Sequence, residues 1–168
     1  MKALEEKILQ EGEVVDGDIL KVDGFVNHQV DALLMEEIGK DMAEHFKGQG
    51  ITKVFTIESS GIAPALFTAK ELGVPLVILK KQQTADSLKT EVWQTEVVSY
   101  TKDTSYRLTL AKNYISDEDH VLIVDDFLAN GEAATGAIRL IRKAHATVAG
   151  LGVLIEKAFQ PGREKLES

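Results

Sequence analysis

The stretch from Val54 to Leu79 limits the fold most strongly. Val54 to Ile57 is a short apolar run that reads as a buried strand, and Glu58-Ser59-Ser60-Gly61 follows it as a loop. Ala63 to Leu72 has helical character and stops at Gly73, and Pro75 to Leu79 is a second buried strand. A helix between two buried strands argues for a parallel sheet with crossover helices. The rhythm returns later, with an apolar strand from Val121 to Val124, a helix from Glu132 to Lys143 and another strand from Thr147 to Ile155. Between the two units, Val92 to Thr101 and Tyr106 to Leu110 surround the turn residues Lys102-Asp103 and predict an antiparallel hairpin. Lys80 to Glu91 has almost no apolar content and is expected to be a mobile surface loop. Ahead of the sheet, Ala3 to Gln10 reads as a helix and Ile19 to Val26 as a short strand or extended arm. Asp31 to Phe46 repeats Leu33, Leu34, Ile38, Met42 and Phe46 on one helical face. No internal repeat or low-complexity linker divides the chain, so residues 1–168 are expected to form one domain.

Composition removes several function classes. Nineteen basic residues against 27 acidic ones leave a formal net charge of -8, which argues against a broad basic face for nucleic acid. The chain has no Cys, so disulfides, thiolate metal sites and cysteine nucleophiles are excluded. No apolar run approaches the roughly 20 residues needed to span a bilayer, so no membrane association is expected. The acidic start MKALEEKILQEGE is unlike a secretory signal, and a cytoplasmic location is the expectation.

The chemistry concentrates in residues 121 to 136, VLIVDDFLANGEAATG. A buried strand leads into two adjacent carboxylates, Asp125 and Asp126, and a loop of small residues then feeds a helix. Ligands of open α/β sheets bind beyond the carboxyl ends of the strands. Free N–H groups and the positive end of the helix dipole suit a phosphate there, and Gly131 allows close backbone approach. Two carboxylates beside such a cradle repel a phosphate but accept well from a vicinal diol. A ribose 5-phosphate has both features. Neither GxxxxGK[ST] nor GxGxxG occurs in the chain. The four histidines are scattered and none pairs at metal-ligand spacing.

Val124-Asp125-Asp126-Phe127-Leu128-Ala129-Asn130-Gly131-Glu132-Ala133 resembles the phosphoribosyl-diphosphate signature of type I phosphoribosyltransferases. Glu58-Ser59-Ser60-Gly61-Ile62-Ala63-Pro64 resembles the diphosphate-binding loop of that family, and Lys80-Lys81 stands where the family places its catalytic flap. Leu20, Val26-Asn27-His28 and Ile155-Glu156-Lys157-Ala158-Phe159-Gln160-Pro161-Gly162-Arg163 are similar to the branch that acts on xanthine. The resemblance covers nearly the whole chain and is loosest at the flap. It implies a phosphoribosyltransferase-type parallel sheet flanked by helices, with a flexible flap hairpin and a small hood.

The resemblance also implies a reaction. A purine nitrogen displaces diphosphate from C1 of 5-phosphoribosyl 1-diphosphate, with Mg2+ held mainly by the substrate. Asp125 and Asp126 would fix the ribose and stabilise its cation-like transition state. Ser59, Ser60 and Gly61 would offer N–H groups to the diphosphate, and Lys80 and Lys81 would add positive charge as the flap closes. Ala129, Asn130, Gly131, Glu132 and Ala133 would wrap the 5-phosphate. For the base, Lys157 would donate to the 6-oxo group, Asn27 would serve the 2-position, and Leu20 and Phe159 would pack on the ring. Xanthine is the expected base, guanine or hypoxanthine the alternatives, and a homodimer the expected assembly. A non-catalytic phosphoribosyl-diphosphate sensor is the rival from another class. Such regulators carry a basic DNA-binding segment, and no basic helix occurs here.

Four departures from the family pattern bear on function. Asn130 and Ala133 replace the hydroxyls of many relatives, which shifts phosphate binding to backbone N–H groups, Asn130 and Thr135. Ala129 stands where some relatives place an Asp near the base, which removes a proton acceptor. Glu132 is a carboxylate inside the phosphate loop and is expected to turn to solvent or to weaken phosphate binding. Finally, family members continue beyond the position of Ser168 with a further strand and helix, so the C-terminal tail is expected to be missing.

Overall fold

The computed structural model describes residues 13–15, 19–21, 28–81, 90–99, 104–128 and 131–156. In chain order the elements are β1 (Glu13–Val15), β2 (Ile19–Lys21), α1 (Ala32–Phe46), β3 (Lys53–Ile57), α2 (Ile62–Leu72), β4 (Leu76–Lys81), β5 (Val92–Ser99), β6 (Thr104–Ala111), a 3-10 turn (Lys112–Tyr114), β7 (His120–Leu128), α3 (Glu132–Lys143) and β8 (Thr147–Glu156). Six strands form a mixed sheet in the order β5-β6-β4-β3-β7-β8. The pairs β3–β4, β3–β7 and β7–β8 are parallel, while β4–β6 and β5–β6 are antiparallel. The parallel core and the hairpin are therefore one continuous sheet. β1 and β2 form a separate antiparallel ribbon in which Val14 pairs with Leu20.

Alternation along the central strands explains why the sheet is covered on both faces. Phe55, Ile57, Leu79, Leu108, Leu110, Val121 and Ile123 pack with Ala137, Leu140 and Ile141 of α3. Val54, Leu122 and Val124 point the other way, onto Ala65 and Ala69 of α2, with Met42 and Phe46 of α1 beside them. Arg139 and Lys143 of α3 also reach β5: Arg139 donates to Thr95 Oγ1 at 3.0 Å and to the Glu96 carbonyl at 2.7 Å, and Lys143 donates to the Gln94 carbonyl at 2.6 Å. Trp93 packs on the α3 side of the sheet with the Lys112 ammonium 4.2 Å from its ring centroid.

Two elements differ from the sequence expectation. Lys80 and Lys81 do not begin a loop; they are the last residues of β4. The cause is a pairing remote in sequence, since Lys80 lies opposite Thr109 and Lys81 opposite Leu108 of β6. β7 likewise does not end at Asp125-Asp126 but runs to Leu128, because β8 pairs with it as far as Phe127↔Ile155 and Leu128↔Glu156. The predicted helix Ala3 to Gln10, residues 82–89 of the expected loop and the expected turn at Lys102-Asp103 lie outside the described residues. Among the described residues no helix is long and apolar enough to cross a membrane.

Candidate active site

The site lies at the carboxyl ends of β3, β4 and β7. Loop 58–61 leaves β3 and enters α2 through Gly61, which makes no side-chain cap. The Glu58–Ser59 peptide is cis. The loop presses directly on the acid pair: a Cβ on Gly61 would stand 2.8 Å from Asp125 Oδ1, 3.3 Å from Asp125 Cα and 2.5 Å from Thr56 Oγ1. Only glycine permits that approach. Among the described residues no hydrogen bond engages the N–H groups of Ser59, Ser60 and Gly61, whereas the Ser59 and Gly61 carbonyls accept from Ile62 and Ala65 at 3.1 Å each. The loop therefore turns its carbonyls into α2 and leaves donors for an anion.

A second helix N-terminus follows β7. Gly131 caps α3 in the left-handed region, φ 81°, again with no side-chain cap. The Thr135 hydroxyl is engaged within the helix: it donates to the Gly131 carbonyl at 2.6 Å, and the Thr135 N–H bonds the same oxygen at 2.9 Å. The N–H groups of the first turn thus remain for a ligand. By contrast, α1 is closed by its own side chain, as Asp31 Oδ1 accepts from Leu34 N–H at 3.0 Å.

The acid pair, with Asp125 against loop 58–61, is half-buried rather than exposed. Its place inside β7, short of the strand's end, is the reason. Asp126 N–H donates to Asp125 Oδ1 at 2.9 Å. Burial, and then the charge of Asp126, push Asp125 well above the usual carboxylate range, with Asp126 N–H and the Lys81 ammonium pulling the other way. Lys81 also lies 4.9 Å from the Tyr106 ring centroid, and its N–H donates to Glu58 Oε2 at 2.6 Å. Burial raises the Tyr106 hydroxyl's pKa, and the charges of Asp125 and Glu132 add to the rise. Lys81, Tyr106, Asp125 and Glu132 thus form one group. Strand alternation turns Lys80 to the opposite face from Lys81.

Glu132 does not turn wholly to solvent. Its Oε1 is buried without a hydrogen-bond partner among the described residues. α3 packs its first turns against the hairpin, with Gly136 so close that a Cβ would meet Val97 at 2.6 Å, and this brings Glu132 near enough for its charge to act on the Tyr106 hydroxyl. Ala133 lies in the same first turn. Leu20 is described by its backbone pairing in β2 alone. Asn27, Ala129, Asn130, Lys157 and Phe159 fall outside the described residues. The sequence reading missed Thr56 and Tyr106. The first looks like an ordinary strand residue and the second like a hairpin residue, and only the pairing of distant strands places them beside Asp125.

Residues 27–166 match the family profile described as "Phosphoribosyl transferase domain". The chain belongs to this phosphoribosyl transferase family. It is 60% identical over 166 residues to a xanthine phosphoribosyltransferase of Agathobacter rectalis, covering 99% of this chain and 86% of that protein. It is 57% identical over 167 residues to a xanthine phosphoribosyltransferase of Clostridium botulinum, covering 99% of this chain and 87% of the other. Among solved structures, the adenine phosphoribosyltransferase of Thermoanaerobacter pseudethanolicus superposes with a TM-score of 0.81 at 23% identity, covering 98% of this chain and 94% of that one, which shows a shared fold. The mixed six-stranded sheet with flanking helices is the phosphoribosyltransferase fold.

Proposed function

We propose that the chain joins xanthine to 5-phosphoribosyl 1-diphosphate, giving xanthosine 5-monophosphate and diphosphate. The observation that carries the reading is the meeting of Gly61 with Asp125, which sets free loop donors beside a carboxylate pair, with both adjoining helix N-termini lacking side-chain caps. Diphosphate would lie on the N–H groups of Ser59, Ser60 and Gly61. The ribose hydroxyls would donate to Asp125 and Asp126, and the 5-phosphate would lie across Ala129 to Ala133. A purine nitrogen attacks C1, the bond from C1 to the diphosphate oxygen breaks, and the nitrogen's proton leaves to solvent. Positive charge gathers on the sugar in the transition state, where the acid pair is already in place to stabilise it. Lys81 would offset the charge on the departing diphosphate, and Lys80, although on the other face of β4, would add positive charge at the same strand end.

The donor set suits Mg2+. Asp125, Asp126, Glu58 and Glu132 are hard oxygen groups that would repel a bare diphosphate, and hard cations prefer oxygen ligands. The substrate's own oxygens would supply most of the ligands, and the ion would keep several waters. When bound, Mg2+ neutralises charge on the diphosphate. A cytoplasmic enzyme working as a homodimer of one-domain chains completes the reading, with no nucleic acid or membrane as partner.

Lys157, Asn27, Phe159 and Leu20 would read the base. An ammonium donates only, so Lys157 favours a 6-oxo purine over a 6-amino one. Nucleotide formation measured with xanthine, guanine, hypoxanthine and adenine tests the assignment. Xanthine should give the highest kcat/KM. Preference for guanine or hypoxanthine would move the assignment within the family, and phosphoribosyl-diphosphate binding without turnover on any base would indicate a sensor. Lys157→Ala should raise the KM for xanthine about 10-fold, the loss of one hydrogen bond from a charged donor, and leave phosphoribosyl-diphosphate affinity nearly unchanged. Equal losses for both substrates would show that Lys157 supports the crevice generally.

A further inference from the structure

Thr56 is 0% exposed, and its Oγ1 has no hydrogen-bond partner among the described residues. A hydroxyl shut away from water and left unbonded destabilises a fold, and buried polar groups are nearly always satisfied. Its neighbours in β3 are Val54, Phe55 and Ile57, all buried and apolar. A valine would fill the same space without that cost. The position explains the exception. One point above Gly61 Cα lies 2.5 Å from Thr56 Oγ1 and 2.8 Å from Asp125 Oδ1, so the unused hydroxyl and the carboxylate flank the same turn of the diphosphate loop.

We propose that Thr56 is a positioning residue for Asp125: when phosphoribosyl diphosphate engages the acid pair, the Thr56 hydroxyl donates to Asp125 Oδ1 and fixes the carboxylate against the ribose. The inference rests on the reading of Asp125 as a ribose-holding acid. The two oxygens flank one point but do not bond in the free chain, so a side-chain rotation of Asp125 or Thr56 must bring them together in the complex, after which the hydroxyl hydrogen can turn to the acceptor. Hydrogen bonds to an ionised acceptor are shorter and stronger than neutral ones. A bond made only in the complex contributes to binding and turnover while leaving the free chain with an unpaired group. Asp125 Oδ1 already accepts from Asp126 N–H, and a carboxylate oxygen has room for this second donor.

The test uses the full 168-residue chain carrying Thr56→Val, Thr56→Ser, Asp125→Asn, or Thr56→Val with Asp125→Asn. Steady-state kinetics, calorimetric titration with phosphoribosyl diphosphate and thermal unfolding are read on each. Thr56→Val should unfold at the same or a higher temperature than the parent, yet lose about tenfold in kcat/KM for phosphoribosyl diphosphate. Its KM for xanthine should stay within about twofold, and Thr56→Ser should recover most of the loss. In the Asp125→Asn background, where the acceptor is a neutral amide oxygen, Thr56→Val should remove clearly less affinity for phosphoribosyl diphosphate than in the parent. Parent-like kinetics in Thr56→Val, or the same added loss in both backgrounds, would overturn the proposal alone. Full turnover in Asp125→Asn would overturn the reading of Asp125 and the proposal with it.

Discussion

Asp119 and Asp125 belong to the same short stretch of chain, one just before β7 and one inside it, and they face opposite surroundings. Asp119 is 8% exposed and fully provided for. Thr52 donates to its Oδ1 at 2.7 Å, Ser116 N–H donates to Oδ2 at 2.9 Å, and the Lys53 ammonium lies 3.3 Å from Oδ2. Burial pushes its pKa up, but the hydrogen bonds from Thr52, Ser116 and Lys53, together with the Lys53 charge, outweigh burial and hold the carboxyl below the usual range. Asp125 has burial and a second carboxylate against it, and its pKa rises. One acid ties the starts of β3, β7 and β8 together. The other is kept in an unfavourable setting by strands that are stable for other reasons. Groups held against their own electrostatics concentrate at functional sites, and that difference supports the proposal that the carboxyl end of the sheet is the working end.

The comparison is sharpened first by neutralising the raised acid. Asp125→Asn should lower turnover by about 100-fold, the scale of removing one group that stabilises transition-state charge, with no loss of Tm. The opposite pattern is expected from Asp119→Ala. It leaves Thr52, Ser116 and Lys53 without their shared acceptor, at roughly 1–3 kcal/mol, or about 2–4 °C in Tm for each kcal/mol at this chain length. Turnover of the folded fraction should be unchanged. Thermal unfolding beside initial-rate assays checks both, and a fall in rate as large as that of Asp125→Asn would break the division between the two acids.

The smallest expected effect is the dependence on pH, and the two acids should differ in sign. Asp119 has a folded pKa below its unfolded one, so its contribution is present at neutral pH and is lost as pH falls below about 4 through the folded value. Asp125 has a folded pKa above its unfolded one, so its ionised form opposes folding at neutral pH and that opposition fades as pH falls toward the unfolded value, about 4. The Tm advantage of Asp125→Asn should therefore be greatest near neutral pH and shrink on acidification. Thermal scans of parent and variant across this range read it directly. An advantage that grows toward acid would contradict the raised pKa.

Much of this was legible in the sequence. Asp31 to Phe46, Val54 to Gly61 and Glu132 to Lys143 carry local signals, such as caps, glycines and one-sided apolar spacing, that do not depend on distant partners. The two donor loops and Asp125-Asp126 stood out for the same reason. What escaped the reading depended on pairing across the sheet. Lys80 and Lys81 are polar residues that become strand because β6 lies beside them. Asp125 and Asp126 become half-buried because β8 continues past them. Tyr106 enters the site because the hairpin extends the sheet under α3. Thr56 has no sequence signal at all, since an unpartnered hydroxyl is visible only once its surroundings are known.

The central claim is that the Asp125–Asp126 pair serves the transfer of a phosphoribosyl group to a purine and does not serve the fold. Formation of xanthosine 5-monophosphate from xanthine and phosphoribosyl diphosphate, measured beside thermal unfolding for the parent chain and for Asp125→Asn with Asp126→Asn, tests it most directly. The parent should form product with one diphosphate released per nucleotide, while the double variant should unfold at the same or a higher temperature and form almost none. Normal product formation by a double variant with a clearly lowered Tm would contradict the account.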